Sequence, residues 1–82
     1  MTSPSRRLAV PRRAAVSAGA DGVPLAVEDV AVEAVREDWV VEDRWWNGRP
    51  LRRRYFELVL ADGRDEVVYR ELGGGRWFAQ RA

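Results

Sequence analysis

The strongest constraint on the fold is an Asp-Gly pair between two runs of residues that favour β-strands. The first run spans residues 52–60, the pair is Asp62-Gly63, and the second run spans residues 66–71. Such a pair predicts a hairpin, because a two-residue type I′ turn needs positive φ at both central positions. We therefore expect two antiparallel strands joined by a tight turn.

A two-residue turn determines which residues face each other in this first hairpin. One face then collects aromatic and apolar side chains while the other mixes charged and apolar ones, which is typical of a half-buried sheet. A three-residue turn would shift the register by one residue and mix the faces. The expected cross-strand pairs are Leu60 with Asp65, Leu58 with Val67, Phe56 with Tyr69, and Arg54 with Glu71.

The glycine-rich segment 72–75 predicts a second hairpin, with residues 76–81 as the returning strand. It lacks the Lys and the following helix of a phosphate-binding loop, so we interpret it as a hairpin turn. Placing Glu71 opposite Arg76 creates an aromatic row across three strands. That row is Phe56, Tyr69 and Phe78, with Trp77 and Ala79 on the opposite face.

Residues 28–41 fit either a strand or a short helix. The alternation around Val30 and Val32 favours a strand. In a helix, Asp38 would fall on the apolar face, and the stiff χ1 of Val disfavours helix slightly. We predict strands over residues 30–36 and 39–43. The expected fold class is mainly β, a small antiparallel curled meander of four to five strands.

The formal net charge of +1 conceals two segments of opposite charge. Residues 1–20 carry four Arg and no acid, giving +4, whereas residues 21–82 carry ten Arg and thirteen acids, giving −3. The first segment holds every Ser and Thr and no aromatic residue, a composition that favours disorder. We predict a disordered basic arm over residues 1–22 and a small β domain over residues 23–82. A nucleic-acid contact or a targeting role for the arm are the alternatives.

The chain of 82 residues contains no Cys, no His and no Lys. It therefore has no disulfide, no zinc-finger ligand set, no thiol nucleophile, no imidazole base and no Schiff-base amine. The acidic pairs at residues 37–38 and 42–43 are interpreted as solvated surface. We expect no enzyme activity, no metal and no cofactor. The absence of Cys fits a reducing, cytoplasmic compartment, and no apolar run is long enough to span a membrane.

Arg and aromatic residues alternate along residues 44–56, a pattern that suits single-stranded nucleic acid. Arg neutralises phosphates, and Trp or Tyr offers a stacking platform for bases. The alternatives are a protein-binding surface, or a core aromatic beside a partly exposed one that carries a stacked Arg. The net charge of −3 on residues 21–82 counts against strong nucleic-acid binding. The candidate residues for binding protein or nucleic acid are Arg44, Trp45, Trp46, Arg49, Arg52, Arg53, Arg54, Tyr55 and Trp77.

The spaced aromatic and glycine pattern at residues 41–46, 52–55, 60–64 and 72–78 resembles the C-terminal module of ImuB-type proteins and similar stand-alone bacterial proteins. ImuB-type proteins are catalytically inactive relatives of Y-family translesion polymerases, and they act as adaptors beside an error-prone replicative polymerase and the sliding clamp. The resemblance covers residues 24–81, without the polymerase-like body or a clamp-binding peptide.

The resemblance implies a non-enzymatic interaction module in bacterial DNA-damage tolerance, and no catalytic residue carries over from it. We expect a protein partner, with the error-prone polymerase complex as the candidate that the resemblance suggests. Single-stranded DNA and a second copy of the chain are the alternative partners.

Overall fold

The computed structural model describes residues 10–44 and 50–81, and within these ranges all regular structure is antiparallel β. The sheet has seven strands, not the four to five predicted, in the spatial order β1-β7-β6-β5-β4-β3-β2. The mainly β class and the antiparallel, curled arrangement are confirmed. The strands are β1 (Arg12–Arg13), β2 (Val16–Ala18), β3 (Pro24–Val27), β4 (Val30–Arg44), β5 (Pro50–Leu60), β6 (Asp65–Glu71) and β7 (Trp77–Arg81).

β4 is one long strand, where the sequence predicted two shorter ones. It pairs with β5 along most of its length, with register shifts between Val32 and Ala34 and between Val35 and Glu37. Each shift is a β-bulge, which inserts an extra residue and bends the strand without ending it. The bulges explain why the apolar alternation of this stretch is irregular.

The additional strands come mainly from the N-terminal part of the chain. Residues of the predicted arm form β1, which pairs with β7, and β2, which pairs with β3. The boundary predicted between residues 22 and 23 falls in a turn, with Gly22 at φ 84°, that joins β2 to β3 inside the sheet. Of the predicted arm, residues 1–9 lie outside the described residues.

Two residues, Ala14 and Ala15, connect one edge of the sheet to the other. The Ala14 N–H donates to the carbonyl of Trp77, the first residue of β7, and the Ala15 carbonyl accepts from the Glu28 N–H, next to the end of β3. Because so short a segment spans at most about 11 Å between the ends of β1 and β2, the two edges must lie close together. The sheet therefore curls strongly, and its concave inner face is enclosed by both edges.

The first hairpin has a three-residue turn, so the predicted register was wrong by one residue. The Leu60 N–H donates to the Arg64 carbonyl, the Gly63 N–H donates to the Leu60 carbonyl, and Gly63 has φ 90°. A type I turn followed by a left-handed glycine is the usual three-residue hairpin connection. The observed pairs include Arg53 with Glu71, Tyr55 with Tyr69, and Phe56 with Val68.

The register predicted for the second hairpin is confirmed. Tyr69 lies opposite Phe78, and Val67 lies opposite Gln80. The Glu71 N–H donates to the Arg76 carbonyl across the glycine-rich turn. Because neighbouring residues of a strand point to opposite faces, Trp77 and Ala79 point away from Tyr69 and Phe78, as predicted, and this places them on the inner face.

The hydrophobic core lies on the inner face of the curled sheet. Six side chains in it are essentially inaccessible to solvent, and partly buried residues from both sheet edges pack against them. This packing explains why the short β1 and β2 form at all, since strands of two or three residues have little stability of their own. The buried core residues are Val27, Phe56, Leu58, Leu60, Val68 and Ala79.

The turn conformation of Gly63 gives a direct test of this register. We expect Gly63→Ala to lower the free energy of unfolding by about 1–2 kcal/mol, because alanine is strained at positive φ. Gly73→Ala is the matched control: a Cβ at either glycine meets no atom within 4 Å, but only Gly63 has positive φ. Chemical denaturation of both variants measures the difference. Equal stabilities would contradict the three-residue turn.

Candidate functional site: an aromatic stripe on the outer face

Four aromatic rings from four neighbouring strands form a continuous row on the outer face, opposite the core. The ring centroids of Trp39 and Tyr55 are 5.2 Å apart and stacked at 10°. Tyr55 and Tyr69 are 4.9 Å apart at 37°, and Tyr69 and Phe78 are 5.1 Å apart at 17°. These separations lie in the range of favourable aromatic pairs. We call these four residues the aromatic stripe.

Strand register alone brings the aromatic stripe together. Tyr55 lies directly opposite Trp39 on one side and Tyr69 on the other. The predicted row contained Phe56 in place of Tyr55 and lacked Trp39, and this prediction was wrong. In the observed register of the first hairpin, Tyr55 lies opposite Tyr69, and Phe56 points into the core, where it is 0% exposed.

Two arginines cover the stripe at the end formed by β6 and β7. The Arg53 guanidinium lies 4.7 Å from the Tyr69 ring centroid, and Arg13 lies 5.8 Å from that of Phe78. Arg53 also donates from Nη1 to the Tyr55 hydroxyl at 3.4 Å. Burial raises the pKa of the Tyr69 phenol, while the charge of Arg53 opposes that rise. At this end of the stripe, two guanidinium groups lie over the rings and the Tyr69 side chain is buried, so little aromatic surface is exposed to solvent.

The opposite end of the stripe is open to solvent and bordered by carboxylates. Trp39 is 37% exposed, and Tyr55 is half-buried. On the same face, Glu37 lies two residues before Trp39 in β4, and Glu57 lies two residues after Tyr55 in β5. These two glutamates are directly opposite each other. Like charges in this position destabilise a sheet, and neither carboxylate forms an ion pair with any described residue. This end thus combines exposed ring surface with uncompensated negative charge.

Arg54 points to the inner face and has a structural role there. Its Nε and Nη2 donate to the two carboxylate oxygens of Asp38 at 3.0 and 2.7 Å, and its Nη1 donates to the Asp21 carbonyl. Its guanidinium also lies 4.7 Å from the Phe56 ring centroid. These hydrogen bonds from Arg54 hold the pKa of the Asp38 carboxyl below its ordinary value, although partial burial opposes the shift.

The residues that the sequence singled out for binding are spread over both faces. The structure brings Arg53 and Tyr55 together in the stripe region. Trp77 packs on Phe56 in the core, with centroids 5.9 Å apart, and Arg52 pairs on the surface with Glu42 at 2.7 Å. Arg44 ends β4, and its backbone lies opposite Pro50, whereas Trp45, Trp46 and Arg49 lie outside the described residues.

The sequence prediction did not include Trp39, Arg13 or the two glutamates in the site. Trp39 is separated from Tyr55 by the connection between β4 and β5, so no local pattern joins them. Arg13 falls in the predicted arm. One signal was available in the sequence: each of four predicted strands contains one aromatic residue of the stripe, namely Trp39, Tyr55, Tyr69 and Phe78. With the correct strand register, these four residues would have been predicted to lie in one row.

The inner face contains one buried carboxylate, Glu66, which is 1% exposed. Arg12 lies 3.5 Å from it and Arg64 lies 3.7 Å from it, and neither carboxylate oxygen has a hydrogen-bond partner in the structure. Within residues 10–44 and 50–81, no group of three or more Asp or Glu is placed to hold a metal ion. In the same ranges no helix has the length and apolar character needed to cross a membrane.

Comparison with known proteins adds no relative of this chain. No protein-family model, no curated protein and no solved structure matches it.

The ion pair between Asp38 and Arg54 predicts a specific acid dependence of stability. Because the pKa of Asp38 is lowered in the folded state, the pair contributes fully above the unfolded-state pKa, and this contribution is lost as pH falls from about 4 downward. The Asp38→Asn variant is therefore expected to be less stable than the unsubstituted protein at neutral pH. On acidification it should lose less of its free energy of unfolding than the unsubstituted protein does. Denaturant unfolding measured from neutral pH to pH about 2 checks this.

Glu33→Gln is the control for the Asp38 variant, as it also neutralises a carboxylate on β4. We expect it to retain the full acid-dependent loss of stability. Identical pH profiles for Asp38→Asn and the unsubstituted protein would show that the pair with Arg54 makes no contribution.

Proposed function

We propose that this protein is a non-enzymatic adaptor module that binds a protein partner at the open end of the aromatic stripe. The observation that carries the proposal is the position of Trp39, exposed and stacked on Tyr55, beside the opposed carboxylates of Glu37 and Glu57. Exposed Trp and Tyr dominate protein-binding surfaces because they bury a large area at low entropic cost. The uncompensated carboxylates would attract basic groups of a partner and repel phosphates.

The resemblance to the C-terminal module of ImuB-type proteins supplies the cellular context of the proposal. We propose that the partner belongs to a DNA-damage tolerance assembly built around an error-prone replicative polymerase. The outer face supports such a role because no described element covers the open end of the stripe, where Trp39 is 37% exposed. A partner can therefore dock there without any opening of the core.

The test is a binding assay between this protein and the error-prone replicative polymerase of the same cell, purified as the intact enzyme. We expect Trp39→Ala to weaken binding by about 30-fold or more, as for other central aromatic residues of interfaces. Val40→Ala is the matched control, because Val40 is the adjacent residue of β4, points to the opposite face and is 51% exposed. Calorimetry or surface plasmon resonance measures both affinities.

Two outcomes would contradict the proposal in different ways. Absence of binding by the unsubstituted protein would remove the polymerase as the partner. Equal affinities for the unsubstituted protein and Trp39→Ala would remove the stripe as the docking surface. Circular dichroism and thermal unfolding confirm beforehand that both variants are folded.

Single-stranded nucleic acid is the second candidate ligand, favoured by Arg53 and Arg13 on the same face as the rings. If it binds there, a fluorescein-labelled oligothymidylate should bind with an affinity that falls with increasing salt, because binding releases cations condensed on the phosphates and this release is less favourable at higher salt. Arg53→Gln should then reduce both the affinity and the salt slope. Binding weaker than about 100 μM at low salt, with no salt slope, would exclude this candidate.

A further inference from the structure

β4 has one edge that is largely without a strand partner. Its other edge pairs with β5 up to Arg44, whereas β3 pairs with this one only at Val30 and Ala31. From residue 32 to residue 44 the edge has no strand partner among the described residues, and we call it the free edge of β4. The backbone donors and acceptors of such an edge are a template for another strand.

Only the second half of the free edge is regular enough to pair with a strand. Two bulges distort the half that precedes Glu37, and bulges are a common protection of exposed edges. From Glu37 to Arg44 each residue of β4 lies opposite the next residue of β5 without a register shift. This regular stretch includes Trp39, which is 37% exposed. A strand paired here would therefore lie directly beside the open end of the aromatic stripe.

The charge of the regular stretch selects a basic occupant. Residues 37–43 contain four acids and no base. Two of these acids already pair with arginines of β5, whereas Glu37 lies opposite Glu57 and forms no ion pair with any described residue. A basic residue beside Glu37 would relieve this repulsion, because opposite charges stabilise neighbouring positions of a sheet. The same acids repel a second copy of this edge and the phosphates of nucleic acid.

The outer-face residues of the regular stretch determine the spacing of the occupant. Alternate residues of a strand share a face, so Glu37, Trp39 and Val41 follow one another along the outer face. Val41 is half-buried, like Tyr55 in the neighbouring strand. An added strand matches this face when a basic residue lies beside Glu37 and apolar residues lie beside Trp39 and Val41. The matching spacing is basic-x-apolar-x-apolar, read in either strand direction.

We propose that the partner contributes an extended segment with this spacing, which pairs with the free edge of β4 as an eighth strand of the sheet. The inference rests on the proposed adaptor function and adds to it the chemistry of the partner's segment and its binding mode. Backbone hydrogen bonds supply the affinity in strand addition, and alternate side chains supply the specificity. The basic residue contacts Glu37, and the apolar residues extend the aromatic stripe beyond Trp39.

A blocked synthetic peptide, Ser-Arg-Thr-Val-Thr-Val-Thr-Ser, is the probe for this mode of binding. We expect it to bind the full chain of 82 residues with a dissociation constant of about 100 μM or lower, measured by calorimetry. The same peptide with Glu in place of Arg should bind about tenfold or more weakly, because it places a like charge beside Glu37. We call these the Arg peptide and the Glu peptide.

Reversal of the charge at residue 37 tests which side chain the basic residue meets. We expect Glu37→Arg to bind the Arg peptide about tenfold more weakly and to prefer the Glu peptide. The variant should fold, because it places opposite charges at positions 37 and 57. Glu33→Arg is the matched control, since Glu33 is another exposed glutamate of β4 but lies outside the regular stretch. This control should retain the preference for the Arg peptide.

Methylation of backbone nitrogens in the Arg peptide tests the strand pairing itself. The N–H groups of alternate residues point to the same edge of a strand, so methylation of one alternate set blocks one edge only. We expect one methylated set to abolish binding and the other set to retain it, because only one edge of the peptide faces β4.

Four results would overturn the proposal. These are absence of binding by the Arg peptide at about 1 mM, equal affinities for the Arg and Glu peptides, equal effects of the two methylated sets, and a dimer whose formation blocks the peptide. The last result, measured by sedimentation velocity, would assign the free edge to a second copy.

Failure of this proposal and failure of the proposed function give different results. If the intact polymerase binds and the Arg peptide does not, strand addition is wrong while the adaptor role stands. If the Arg peptide binds as expected and the polymerase does not, strand addition at the free edge stands and the polymerase is removed as the partner.

Discussion

The register of β5 against β6 is the constraint on which the rest of the structure depends, and the turn at Gly63 sets it. With this register, Phe56, Leu58 and Leu60 all point into the core, while Tyr55 points outward to meet Tyr69. A slip of one residue would exchange these two sets, because the side-chain period of a strand is two. The core and the aromatic stripe are therefore two consequences of one backbone conformation. A change of register that moved the core side chains would therefore also break up the aromatic stripe.

Comparison of the two hairpins shows what the sequence could predict. The second register was predicted correctly because Glu71 and Arg76 close a glycine-rich turn and Tyr69 then meets Phe78. The first was not, because an Asp-Gly pair fits both a two-residue turn and a three-residue turn. The adjacent aromatics Tyr55 and Phe56 made either register look plausible, since both place a ring opposite Tyr69. β1 and β2 escaped prediction because strands of two and three residues carry no periodicity.

The candidate site was predictable in its chemistry and less so in its geometry. The pattern of arginines among aromatics indicated stacking of guanidinium groups on rings, and in the structure Arg53 lies over Tyr69 and Arg54 over Phe56. Because they are neighbours on one strand, however, they stack on opposite faces, one over the stripe and one over the core. A flat, delocalised guanidinium suits this use better than a lysine ammonium, and the chain has no Lys. The position of Trp39 depends on bulges in β4, for which the sequence contains no simple signal.

The two alanines that link the edges of the sheet also determine when the sheet can close during folding. Arg12 pairs with Ala79 and Val16 with Val27, so one short segment forms both a very distant and a local contact. Distant contacts require closure of a large loop and form late. We expect the hairpins of β4 to β7 to form first. The segment from β1 to β2 should pair last, and its pairing joins the two edges of the sheet. The same segment should be the first to open in the native state, releasing both edges in a single cooperative step.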